Sequence, residues 1–144
     1  MSFTFDVNVL LYASDETSEH HVRARAFLDS VAGSDDLVYL FWPTVMAYLW
    51  IATHPAIFEQ PLPPADAAAN IERLLGLPHV QTVGEQERFW SSFRRAARGA
   101  DARGNLVPDA HMVALMIENG VRTIWTHDRD YRRFSEIESR DPFE

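Results

Sequence analysis

The stretch PDAHMVALMIENGVRTIWTHD, residues 108–128, predicts a helix followed closely by a buried strand, with an acid near each end. Pro108 is compatible with the first turn of a helix, and Asp109 beside it suits the positive N-terminus of that helix. Gly120 favours the end of the helix. The apolar residues that follow predict a strand over residues 122–128, which ends at an acid. A helix that leads directly into a strand is typical of α/β architectures with a parallel sheet.

The beginning of the chain, FTFDVNVLLYA at residues 3–13, also places an acid at the end of a strand. Phe3–Asp6 predicts a buried strand, and a short helix is expected to begin near Asn8. A carboxylate in such apolar surroundings is costly unless a partner holds its charge, and no basic residue precedes Arg23. A helix N-terminus, a basic partner from elsewhere in the chain and a metal ion are the candidate partners.

The composition indicates one globular domain. The chain has 144 residues, of which 47% are hydrophobic, and a chain of this length buries roughly 70% of its unfolded surface. The absence of cysteine excludes a disulfide framework and a thiolate metal site. No apolar run reaches the ~18 residues needed to span a membrane, and the first residues do not resemble a signal segment. We therefore expect no membrane association and a cytoplasmic location.

The net charge of −8 disfavours general binding to nucleic acid, because such binding draws its affinity largely from neutralising phosphates. All thirteen basic residues are arginines, which suit bidentate phosphate contacts better than lysines do. RNA binding would therefore need a local basic patch, or metal ions held by a cluster of carboxylates.

Helices and strands alternate along the rest of the chain. Further strands are predicted at 36–41 and 79–83. Helices are predicted at 18–33, with Ser18 as N-cap and Gly33 as stop, at 43–54, at 65–77 and at 85–99. This order predicts an α/β fold with a central parallel sheet of four or five strands flanked by helices.

Three acids fall at strand ends or helix starts, namely Asp6, Asp109 and Asp128. Ligands of parallel sheets bind at the carboxyl ends of the strands, where Asn8 and Asp130 would also lie. Taken singly, Asp109 is explained as an N-terminal helix acid, and Asp128 with Asp130 as turn residues. Taken together, such carboxylates repel one another and imply a cation, and hard oxygen ligands favour Mg²⁺ or Mn²⁺.

In their order and separations, the segments FDVNVLLYA, RGNLVPDAHMVALMIENGV and TIWTHDRDYRRF resemble the PIN domain, and most closely the VapC-type toxins of bacterial toxin–antitoxin pairs. The resemblance covers nearly the whole chain and implies that residues 1–144 form a single PIN domain. It also implies an Mg²⁺-dependent ribonuclease that acts on an RNA substrate, forms a homodimer and is held inactive by a cognate VapB-type antitoxin.

The resemblance assigns roles to particular residues. Asp6, Asp109 and Asp128 match the catalytic and metal-binding acids of the family, and Asp130 matches a less constant fourth metal ligand. Asn8 and Thr126 match secondary positions of the same motifs.

One position departs from the family pattern. The family normally carries a glutamate on the helix after the second strand, but no residue from Pro43 to Ile51 is acidic. The lost position is expected between Val45 and Tyr48. The basic residue that is common further along this helix is replaced, we expect by Trp50. The resemblance thus leaves the strength and number of bound metals open.

The remaining candidate residues are arginines and tryptophans. The helix predicted at 85–99 is rich in arginine, and its basic side would either contact RNA or be a solvated face. Candidate RNA contacts are Arg94, Arg98 and Arg103. Trp42, Trp50 and Trp90 are expected in the core or at a dimer interface.

These observations predict a metal-dependent endoribonuclease that cleaves RNA by metal-activated water. One alternative is a PIN protein with weak catalysis that mainly binds RNA or its antitoxin, which the missing glutamate would explain. A phosphohydrolase or receiver domain with Asp6 as phosphate acceptor is disfavoured. Such enzymes need a second aspartate where this chain has Asn8, and receiver domains need a lysine, which the chain lacks.

Overall fold

The computed structural model describes residues 1–144 and contains one parallel sheet of five strands in the order β3-β2-β1-β4-β5. The strands are β1 (Ser2–Phe5), β2 (Leu37–Phe41), β3 (Val80–Val83), β4 (Thr123–Trp125) and β5 (Glu138–Arg140). The helices are α1 (Val7–Ser14), α2 (His21–Ala32), α3 (Trp42–Ala52), α4 (Pro64–Leu75), α5 (Phe89–Ala100) and α6 (Val107–Glu118). Two short 3-10 helices occupy Gly104–Leu106 and Arg129–Arg133.

Helices cover both faces of the sheet, which explains why its central strands are apolar on both sides. On one face, Phe5 and Val38 pack with the apolar sides of α1 to α4. On the other face, Ile124 packs with α5 and α6. Because all five strands run the same way, every strand ends at the same edge of the sheet, which is the edge at which Asp6 follows β1.

Helix α6 is the most deeply buried helix of the fold. Every residue from Met112 to Met116 is buried, and the helix packs against α5 through Ala96. Gly120, at a φ of +69°, lets the chain turn from the end of α6 into β4, a conformation that side chains with a Cβ rarely adopt. The buried helix thereby holds its first turn, with Asp109, rigidly relative to the sheet.

The predicted parallel α/β sheet is confirmed, and it has five strands. The fifth strand, Glu138–Arg140, carries no apolar residue and forms the edge of the sheet, so the alternation of apolar residues did not indicate it. The strand predicted at 122–128 is shorter than expected, because β4 ends at Trp125 and Thr126 makes one further backbone bond to Arg140.

One local prediction is wrong. Helix α2 begins at His21 with His20 in the N-cap position, because the hydroxyl of Ser18 accepts a hydrogen bond from the His20 amide and closes a turn before the helix. The tryptophans Trp42, Trp50 and Trp90 are 41%, 61% and 64% exposed, which excludes the core for all three and leaves a dimer interface, the other expected location, as a prediction.

The longest helices have 12 residues, and none combines the length and apolarity needed to cross a bilayer.

Candidate metal centre

Asp6 lies between the end of β1 and the start of α1, and the residue is only 8% exposed. Its amide donates to the carbonyl of Trp125 at 3.0 Å, which extends the pairing of β1 with β4 by one residue. The hydroxyl of Thr126 donates to Asp6 Oδ2 at 3.0 Å, and Asn8 Nδ2 lies 3.5 Å from the same oxygen. These contacts hold Asp6 at the carboxyl end of the sheet.

Asp128 and Asp130 follow β4 at the same edge. The amide of Asp128 donates to the hydroxyl of Thr126 at 3.0 Å, so one threonine links the two acids Asp6 and Asp128. Asp128 Oδ1 accepts from the amide of Asp130 at 2.9 Å and caps the 3-10 helix Arg129–Arg133. This turn directs both carboxylates towards the start of α6.

Asp109 completes the arrangement from the first turn of α6. Carboxylate oxygens of Asp109, Asp128 and Asp130 all lie within 4.8 Å of one another. Asp6 is outside this group of three, but it lines the same cavity as Asp109 and Asp128. These hard oxygen donors, which have no sulfur or nitrogen among them, fit Mg²⁺ or Mn²⁺.

The cavity concentrates negative charge that the protein itself does not neutralise. Burial, followed by repulsion from Asp128, Asp6 and Asp130, raises the pKa of Asp109 to about 6. Burial also raises the pKa of Asp6, and repulsion from Asp128 adds to the rise, although the hydrogen bond from Thr126 opposes it. The cavity has no arginine in its lining.

No ion pair of the structure includes Asp6, so a basic side chain is excluded as its partner. The backbone amides at the start of α1 favour the charged form of Asp6, but the effect of burial is larger. A bound cation is the remaining way to hold the charge.

Helix α3 forms the side of the cavity where the family glutamate is missing. Its residues Pro43, Thr44 and Ala47 line the cavity. Val45 and Tyr48 are 2% and 1% exposed and pack in the core instead. Within the predicted window of residues 45–48, the position that faces the acids is thus the one that Ala47 occupies.

Sequence reasoning missed Tyr131, which is buried, lines the same cavity as Asp109 and, through its phenol, lowers the pKa of Asp109 against the larger effect of burial. Burial and the surrounding acids raise the pKa of this phenol well above its usual value, so it stays a hydrogen-bond donor. Its place directly after Asp130, the last acid of the predicted motif, was the available signal.

His111 and Glu85 also meet at the cavity, where His111 Nε2 lies 2.6 Å from Glu85 Oε1 and the imidazole forms part of the lining. No sequence pattern paired these two residues.

The candidate RNA contacts lie outside the cavity. Arg94 and Arg98 are exposed on α5 and have no acid within ion-pair distance. Arg103 donates to the carboxylate of Asp101 at 2.5 Å, so its charge is already partnered.

Comparison with known proteins agrees with this geometry. A model of the PIN domain family matches residues 4–137. The chain is 48% identical over 143 residues to Ribonuclease VapC48 of Mycobacterium tuberculosis, and the match covers 99% of each chain.

Two solved structures have a similar fold. VapBC2 from Rickettsia felis, bound to a DNA fragment of its promoter, gives a TM-score of 0.71 at 10% identity over 98% of each chain. The sarcin–ricin loop cleaving toxin VapC20 of Mycobacterium tuberculosis gives a TM-score of 0.65 at 14% identity, covering 94% of this chain and 98% of that one. At such identities these structures bear on the fold alone, and they confirm the predicted PIN-like architecture.

Replacing Asp109 with asparagine should stabilise the metal-free protein at neutral pH. Because the pKa of Asp109 rises from 3.8 to about 6 on folding, the folded protein keeps a proton that the unfolded chain releases between these pH values. The free energy of unfolding therefore falls as the pH rises through this interval. The full shift corresponds to ~3 kcal/mol, and since the carboxyl is partly exposed, solvent screening reduces the expected gain to ~1 kcal/mol at pH 7.

Urea unfolding in EDTA at pH 7 and near pH 4 measures this effect. The gain in the Asp109→Asn variant should shrink to a small fraction near pH 4, where the folded protein holds the proton and about half of the unfolded chains hold it as well. Asp35→Asn removes the same charge at an exposed site and serves as the control. Equal stabilities of the two variants at pH 7 would contradict the account of the cavity's charge.

Proposed function

This chain belongs to the PIN-domain family, within its VapC group, and we propose that it is a divalent-metal-dependent endoribonuclease that acts as the toxin of a toxin–antitoxin pair. The observation that supports the proposal most directly is the convergence of four acids at one sheet edge with no basic residue among them. A chain that is 48% identical to a protein named as a ribonuclease and keeps such a centre is well suited to cleave RNA phosphodiester bonds.

We propose that the metal ion is Mg²⁺ or Mn²⁺. Asp109, Asp128 and Asp130 would hold it through their clustered oxygens, and Asp6 would contribute from the end of the neighbouring strand β1. When bound, such an ion supplies an activated water and stabilises charge that develops on the phosphodiester. Asp6, Asp109 and Asp128 are the proposed catalytic acids.

The remaining residues of the site would keep these acids in place and charged. The Thr126 hydroxyl donates to Asp6, so it favours the ionised carboxylate. Tyr131 does the same for Asp109, because its phenol remains protonated. Asn8 approaches the same oxygen of Asp6 and would position it or a bound water. Asp130 is exposed, so it lies on the solvent side from which RNA would arrive.

The missing glutamate should make metal binding weak, and restoring it should strengthen binding. Ala47 lines the cavity on the side formed by α3, so Ala47→Glu would place a carboxylate where the family glutamate is missing. We expect Ala47→Glu to bind Mn²⁺ about tenfold more tightly, which corresponds to ~1.4 kcal/mol, in a calorimetric titration.

The matched control is Ala69→Glu, which makes the same substitution at an exposed position of α4. Val45→Glu and Tyr48→Glu should instead destabilise the fold, because each places a carboxylate in the core. If a folded Ala47→Glu variant binds metal no better than the control, α3 does not supply the missing side of the site.

Expression of the chain alone should arrest bacterial growth through RNA cleavage. Asp128→Asn should relieve the arrest while the protein still accumulates, since it removes a carboxylate from the proposed metal cluster and keeps the backbone amide that donates to Thr126. Asp35→Asn, at an exposed acid outside the centre, should remain toxic. Co-expression with a VapB-type antitoxin should restore growth, as we propose that this chain has such a partner.

The purified protein should cleave RNA in Mg²⁺ or Mn²⁺ and not in EDTA. A wild-type chain that is harmless and cleaves none of a broad panel of structured RNAs would favour the alternative function, a PIN-fold protein that binds RNA or its antitoxin without efficient catalysis.

We also propose that the protein forms a homodimer through α3. Trp42, Met46 and Trp50 are 41%, 54% and 61% exposed, and their spacing of four residues places them along one face of the helix. Exposed large apolar side chains in a row are typical of a protein interface. A second copy of the chain, with the same face, is the partner that would cover it.

A charge on this face should dissociate the dimer. We expect Met46→Glu to elute as a monomer in size-exclusion chromatography with light scattering, at a concentration at which the wild type is dimeric. Val22→Glu introduces the same charge at a 76% exposed apolar residue of α2 and should leave the dimer intact. An unchanged mass for Met46→Glu would place the dimer contact elsewhere.

A further inference from the structure

One side of α5 carries a tryptophan and three arginines, which we call the α5 basic face: Trp90, Arg94, Arg95 and Arg98. Trp90, Arg94 and Arg98 recur every four residues, so they lie along one ridge of the helix, with a rise of about 6 Å between successive members. Together with Arg95 they line a shallow groove that is separate from the metal centre.

The guanidinium groups of this face have no acidic partner. None of the three arginines has a carboxylate within 4.0 Å. Arg103 and Arg140, in contrast, each form an ion pair with the acid two residues before them. The chain has a net charge of −8, so it has more than enough acids to pair with these three arginines, yet none of those acids lies beside them. The face thus keeps three full positive charges for a ligand from outside.

The tryptophan is held in a fixed orientation. Trp90 is 64% exposed, but its ring stacks on Phe93 with centroids 5.6 Å apart and planes inclined by 17°. One side of the indole is therefore supported by the protein and the other side faces solvent. An ordered aromatic surface next to unpaired arginines is the combination that binds a base together with the phosphates beside it.

The groove adjoins the chain that leaves the metal centre. The 3-10 helix Arg129–Arg133 begins directly after Asp128, and Ser135 and Glu136, which follow it after one buried phenylalanine, line the groove with α5. This helix presents further exposed arginines without acidic partners, namely Arg129, Arg132 and Arg133. Basic side chains therefore lead from the acids to the α5 basic face.

We propose that the α5 basic face is a subsite for single-stranded RNA, which binds the substrate away from the bond that is cleaved. Arg94 and Arg98 contact successive phosphates, Arg95 adds positive charge, and a base stacks on Trp90. Glu136, the one carboxylate in the groove lining, opposes the binding. This assignment rests on the proposed ribonuclease function, and it gives that function a means of holding RNA despite the negative charge of the chain.

Charge favours RNA over a protein as the occupant. The surface proposed for contact with a second copy, the apolar row on α3, carries no acid that could meet three arginines. RNA supplies regularly spaced phosphates and flat bases, which match the arginines and the indole respectively.

Fluorescence anisotropy with a labelled single-stranded oligoribonucleotide of mixed sequence tests the subsite. Measurements in EDTA prevent cleavage, and a series of KCl concentrations gives the salt dependence of binding. Arg94→Ala combined with Arg98→Ala should weaken binding about tenfold and flatten the slope of log K against log salt by about 1.4, or ~0.7 for each lost phosphate contact. Trp90→Ala should also weaken binding about tenfold, whereas Trp90→Phe should retain most of it.

Two further variants make the test specific. Arg25→Ala combined with Arg122→Ala removes the same charge from exposed arginines elsewhere and should leave the slope unchanged. Glu136→Gln should bind RNA more tightly, a change of sign that a loss of folding cannot produce. The proposal is overturned if the two double variants behave alike, or if the variants of the α5 basic face alter the mass of the protein in solution and leave RNA affinity unchanged.

Cleavage assays of the same proteins in Mg²⁺ separate this proposal from the proposed function. RNA binding that depends on the α5 basic face, without any cleavage, would support the subsite and overturn the ribonuclease. RNA cleavage by the wild type, with RNA affinity unchanged in all variants of the α5 basic face, would support the ribonuclease and overturn the subsite.

Discussion

The hydroxyl of Thr126 joins the ends of the two central strands, and the geometry of the site depends on it. The hydroxyl donates to the carboxylate of Asp6 and accepts from the amide of Asp128. One short side chain thus orders an acid from β1 and an acid from β4, and it also favours the charged form of the first. Threonine suits this place because a hydroxyl can donate and accept at once.

The order of the strands makes this link possible. Strands β1 and β4 are neighbours although more than a hundred residues separate them, and the helix that precedes β4 brings Asp109 to the same edge. Burial raises the pKa of Asp109, and repulsion from the neighbouring acids adds to the rise. The apolar residues of α6 are buried against the sheet and α5, so the first turn of the helix keeps Asp109 beside these acids. Carboxyl groups with perturbed pKa values in a cavity are typical of functional sites.

The sequence predicted the features that depend on local patterns, and it missed those that depend on three-dimensional contacts. The position of Asp6, Asp109 and Asp128 at element ends follows from apolar runs and a proline, and the structure has them at one edge. Tyr131 could not be assigned, because it meets Asp109 at the cavity only when the 3-10 helix folds onto α6. Strand β5 has no apolar pattern, since an edge strand needs little burial. The choice of Ala47 within the window 45–48 also required the orientation of α3.

The distribution of charge ties the acidic centre to the rest of the surface. The acids that converge on the cavity would repel RNA on their own. A bound divalent ion would make the electrostatic potential favourable for a phosphate only within the cavity itself. The arginines lie elsewhere, on α5 and on the 3-10 helix that follows Asp128, so they do not neutralise the carboxylates that hold the ion. An arginine paired with Asp6 or Asp109 would take the place of the proposed metal as counter-charge. The separation of unpaired arginines from unpaired acids is thus an arrangement that would let one acidic chain bind both a cation and a polyanion.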